Sequence, residues 1–117
     1  NLRINIGPRL DGTFDPEQAA RLLGLGAFCR ENAQAIYATR AGVPPTHFYG
    51  PSTLSADGRT LYVFVLGDPR GQVAVKGLCN RVERVSFVHD PASTLGHQTI
   101  GGASWAGVPG VLWIDVP

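Results

Sequence analysis

The sequence has no methionine, two cysteines and one lysine, Lys76, against nine arginines. Without methionine there is no initiator residue. The first residues, Asn1-Leu2-Arg3-Ile4-Asn5-Ile6, already read as the middle of a folded element, so the chain is expected to be a piece cut from a larger protein. The scarcity of lysine beside abundant alanine and glycine reflects genome composition rather than function. No Lys/Arg cluster or basic helix face points to nucleic acid, and no apolar run approaches the ~18 residues needed to span a bilayer. Cys29 and Cys79 have no cysteine or histidine at zinc-ligand spacing, so each is expected to be a buried free thiol, and no cofactor is implied. Hydrophobic residues at 44% and charged residues at 16% exclude a disordered chain.

What is present begins with a strand coupled to a helix. Leu2, Ile4 and Ile6 alternate with Asn1, Arg3 and Asn5, the period-two pattern of a strand, and Gly7-Pro8 ends it. Asp11-Gly12 marks a turn. Asp15-Pro16-Glu17-Gln18 then supplies a helix start, with Asp as N-cap, Pro at the first helical position and Gln three residues after the cap. Ala19, Leu22, Leu23, Gly26 and Cys29 form one apolar stripe on a helix running from Pro16 to about Asn32. A strand with one polar face beside a single helix suggests the last βα unit of a (β/α) barrel, whose full form takes about 250 residues.

Residues 41–56 change character: Gly42, Pro44-Pro45 and Gly50-Pro51 read as a connector without periodicity. Short strand signals follow at 61–66, 72–75, 82–88, 99–100 and 111–116, separated by Gly/Pro turns and with no helix among them. They predict a small antiparallel β-sandwich over 57–117. The expected fold class is therefore an α+β fragment, with the end of a barrel over 1–40, a connector over 41–56 and a β-sandwich after it.

The motifs in order resemble one known family. Asn1-Leu2-Arg3-Ile4-Asn5-Ile6-Gly7-Pro8, the Asp11-Gly12 turn, the Pro16 helix and Asn32-Ala33-Gln34-Ala35-Ile36-Tyr37-Ala38-Thr39-Arg40 are similar to the end of the catalytic domain in α-L-fucosidases of glycoside hydrolase family 29. That family reads NLLLNIGP, a DG turn, a helix with G-x-W, and NGEAIYGTR. Leu61-Tyr62-Val63-Phe64-Val65 and Val75-Lys76-Gly77-Leu78-Cys79-Asn80-Arg81-Val82 resemble its LYA-type strand and PGLKNKV segment, so most of the chain is covered. The sequence departs from the pattern at Arg3, Phe28, Ala33, Gln34 and Ala38. Ala33 and Ala38 stand where the family has glycines, and alanine does not take positive φ freely, so the backbone is expected to differ there.

The resemblance implies a parent that releases L-fucose from α-fucosylated glycans with retention, using an Asp nucleophile and a carboxylic acid/base about 5–5.5 Å apart. Both groups lie on earlier barrel strands in the family, so no catalytic residue transfers to this chain. The implied partners are a fucosylated glycan and the remainder of the catalytic domain, and the implied location is secreted or periplasmic rather than cytoplasmic. A final sandwich strand commonly follows the proline that Pro117 resembles, so an open pairing edge is expected.

The nine carboxylates read as caps, turns and solvated groups. Asn5 is the first substrate-contact candidate, because it shares the inward phase and lies nearest the active face. Arg9 is the second, at the rim. His47, His89 and His97 form no metal or triad pattern, and Trp105 is expected to be a core or interdomain anchor, or a sugar platform if exposed.

Overall fold

In the computed structural model, which describes residues 3–117, the first helix starts where the capping signal lies. The Asp15 carboxylate accepts the backbone N–H groups of Glu17 and Gln18 at 2.9 and 3.4 Å, and Pro16 opens helix α1 (Pro16–Glu31). Two of the helix's orphan donors are thereby satisfied locally. At the other end, the backbone N–H and the side-chain amide of Asn32 both donate to Phe28 O at 3.0 Å. Before the helix, Arg9 N–H donates to Thr13 O at 2.7 Å and Gly12 sits at φ 82, the Asp11-Gly12 turn read from the sequence.

The chain divides into two units, residues 3–33 and Gln34–Pro117. Within the first, no residue of α1 is buried, and Leu22, Leu23, Leu25 and Phe28 stay exposed. The strand expected at the start is not formed over residues 3–6. A strand exists only as a partner in a ladder, and no described residue pairs with these. The part of that reading that falls on Asn1 and Leu2 lies outside the described residues.

The second unit is built from helix α2 (Ala33–Ile36), which begins at the boundary, and six short strands. Strands β1 (Thr39–Ala41), β2 (Ser52–Ser55) and β3 (Leu61–Val63) form one antiparallel sheet in the order β1-β2-β3. Strands β4 (Gly71–Leu78), β5 (His97–Ile100) and β6 (Gly110–Val116) form a second, in the order β4-β6-β5. The fold is thus α+β, with two small antiparallel sheets. Phe48, Val75, Leu112 and Ile114 make the buried cluster, and Leu61 and Val63 of the first sheet pack on it together with Val73, Val82 and Val85. Alternate residues of β6 are buried, as one core-facing strand face requires.

Three readings need correction here. Residues 82–88 form no strand: Val82 and Val85 anchor to the core, but only Ser86 pairs, with Thr94. Spacing of three between those valines puts core contacts out of phase with a period-two ladder. Strand β2 lies in the segment read as a connector, where Ser52, Thr53 and Ser55 are too few and too polar to show alternation. The loop between β5 and β6 contains a 3-10 turn, Ser104–Ala106.

Candidate functional site

One stretch of the family-like pattern, residues 33–40, forms a chain reversal. After α2, the Thr39 hydroxyl donates to Ile36 O at 3.0 Å and the Thr53 hydroxyl donates to Ala35 O at 2.6 Å, while Ala35 itself is buried. The carbonyls left over at the helix end thus find side-chain partners. Between α2 and β1 the backbone turns at Ala38, whose φ is 53. Ala38 is the sole non-glycine described residue with positive φ. The expectation that alanine would shift this turn away from a glycine-like backbone fails: the surrounding bonds hold it left-handed, at a cost of roughly 1–2 kcal/mol. Gln34 is also explained. Its amide Nε2 donates to Val88 O at 3.0 Å, which a glutamate carboxylate could not do.

Asn5 lines a cleft of about 290 Å³ formed within residues 3–33, beside Ile4, Ile6, Gln18, Arg21 and Leu22. Arg9 is not among its lining residues. Its guanidinium donates to the Asp15 carboxylate at 2.7 Å and is spent on the helix cap. Asn5 and Arg9 are therefore not brought to a common site.

Acid–base chemistry of the retaining kind needs one carboxyl raised enough to hold a proton near neutrality. The perturbed carboxyls here move the other way. The Arg9 guanidinium, then the Glu17 and Gln18 N–H groups, hold Asp15 below the usual carboxylate value. The backbone N–H of Thr13, then its hydroxyl, does the same for Asp11. The Ser55 hydroxyl, then the Arg59 N–H, lowers Asp57 in the turn between β2 and β3. All three accept hydrogen bonds as anions, and none is poised to donate a proton.

The histidines stay apart. His97 Nδ1 lies 3.2 Å from Leu95 O, His89 stacks on Phe87 with ring centroids 5.3 Å apart, and the His47 ring lies against Gly77. No metal-binding group of His, Cys, Asp or Glu occurs among the described residues. Cys29 and Cys79 are free and half-buried rather than buried, and the Cys79 thiol donates to Gly107 O at 3.3 Å.

One feature went unread in the sequence: a cleft of about 420 Å³ beside β4, walled by Tyr49, Val65, Leu66 and Pro69 and edged by Lys76. Trp105, read as a core or interdomain anchor or, if exposed, a sugar platform, is 90% exposed on the 3-10 turn and so is no core anchor. No protein family, curated protein or solved structure matches this chain.

Proposed function

We propose that this chain is the C-terminal part of an α-L-fucosidase-like retaining glycoside hydrolase, with the end of its barrel in the first unit and its small β-domain in the second. The single observation that carries this reading is Ala38. It takes positive φ at the position where the resembling motif, NGEAIYGTR, has glycine, in the segment that joins a helix to the first sheet. The unburied apolar residues of α1 support it too, since a barrel helix rests that face on the barrel strands. In this role the segment supports the fold, and the catalytic carboxylates belong to the rest of the barrel.

The test is the polypeptide encoded by the complete reading frame. It should hydrolyse an aryl α-L-fucoside with retention, through a strand-end Asp upstream of this segment, while the 117-residue chain alone does not. Turnover by the isolated chain at enzyme-like rates, or an upstream sequence with no barrel, overturns the proposal.

A second reading is favoured by the exposure of Trp105 and Tyr49, at 90% and 88%. Under it the chain is a non-catalytic glycan-binding or structural β-domain. Fluorescence titration with a fucosylated oligosaccharide separates the two: quenching that Trp105→Ala removes favours binding, and a flat titration counts against it.

A further inference from the structure

The outer edge of β4 is open, and two bonds fix which backbone groups point there. Lys76 N–H donates to His47 O at 2.8 Å, away from β6. Across the sheet, Asp115, the register partner of Gln72, donates its N–H to Gly96 O at 2.8 Å, away from β4. In an antiparallel ladder a residue sends its N–H and C=O to the same side, and alternate residues share that side. Gln72 and Ala74 therefore direct their N–H and C=O groups outward, in phase with Lys76. Among the described residues these four groups have no hydrogen-bond partner. Ala74 and Lys76 also line the cleft walled by Tyr49, Val65 and Leu66.

The spacing specifies what can fill this edge. N–H and C=O pairs recurring every second residue, about 6.8 Å apart, are matched in full by another extended backbone. The ends of the free run specify its charge. Lys76 closes the run at one end, and Arg70, which precedes β4 next to Gly71, lies at the other, only weakly engaged, with Asp68 3.9 Å away and both side chains exposed. A second copy of this chain paired about an axis at Val73 would bring the Arg70 end of one copy to the Lys76 end of the other, like charge to like charge. A different strand with acids at its ends is complementary.

We propose that the β4 edge between Arg70 and Lys76 is a strand-addition site for an extended segment of a partner protein, β-branched in the middle and acidic at both ends. The proline test follows from the geometry. Because the Ala74 N–H points outward, Ala74→Pro removes a donor from the free edge and no bond between β4 and β6.

The experiment titrates the 117-residue chain with the end-blocked heptapeptide Glu-Val-Thr-Val-Thr-Val-Glu, followed by amide NMR. The expected result is a shift and slowed hydrogen exchange at Gln72 and Ala74, lost in Ala74→Pro and weakened about tenfold in Lys76→Glu, with the remaining spectrum native. The same peptide with Lys at both ends should also bind about tenfold more weakly. If Ala74→Pro does not fold, Lys76→Glu and the Lys peptide decide the matter. No response at millimolar peptide, or binding indifferent to these changes, overturns the proposal. So does self-association of the free chain that perturbs Gln72 and Ala74.

Discussion

Residues 3–33 and Gln34–Pro117 reach regular structure by opposite routes. In the first, α1 is specified locally: the Asp15 cap, Pro16 and the Asn32 bonds to Phe28 O define both ends, although the helix buries no residue. In the second, β4 and β6 are specified by each other and by the cluster of Phe48, Val75, Leu112 and Ile114. A helix satisfies its own backbone, whereas a strand needs a neighbour. Local signals alone can therefore draw α1, but stability has to come from packing, since most helix stability in proteins does.

That contrast can be broken first in the core. Leu112→Ala should cost about 2–5 kcal/mol in thermal or urea unfolding, whereas Leu23→Ala, at a site 72% exposed in α1, should change stability by no more than about 0.5 kcal/mol. Equal effects would mean that α1 is as well packed as β6.

The next largest effect is expected at Gly77. Its φ of 76 accompanies the register shift between Lys76 and Leu78, and an added Cβ would collide with the His47 ring. Gly77→Ala should destabilise by about 1–3 kcal/mol in the same unfolding measurement. A neutral substitution would show that the shift in β4 relaxes freely.

Ala38 gives an effect of opposite sign. Ala38→Gly relieves a left-handed alanine and should stabilise by about 0.5–1 kcal/mol, a rise in Tm of several degrees for a unit of this size. A fall in Tm would contradict the strain assigned there and remove the main support for the family reading.

The smallest effect is local to α1 and is read by pH. Asp15 is held low first by Arg9, so its contribution to the helix is fully present above the ordinary Asp value of about 3.9. It is lost as pH falls below that value through the lowered folded-state value. NMR should show α1 fraying at its N-terminus over that acid range, and Asp15→Ala should fray it at neutral pH too. An α1 signal indifferent to both would contradict the cap.

What the sequence showed follows the same division. The cap, the Asp11-Gly12 turn, α1 and β6 were legible, because each is encoded by neighbouring residues or a clean alternation. The strand at 82–88 was misread, and the one expected over the first residues has no partner among the described residues, because an alternating or valine-rich run says nothing about whether a partner is present. Strand β2 was missed because its register comes from β1 and β3 rather than from its own side chains. Of the candidate site residues, Asn5 lies in a cleft, and Arg9 is paired with an acid six positions away, a pairing that depends on the turn between them. The open edge of β4 depends on the phase of a ladder and on His47, about thirty positions earlier, so no local pattern could reveal it.

Native-state hydrogen exchange on the 117-residue chain tests the division most directly. If only Gln34–Pro117 holds a core of its own, the hydrogen-bonded amides of α1 exchange at least about a hundredfold faster than those shared by β4 and β6. Protection of α1 equal to that of β4 and β6 would contradict the account.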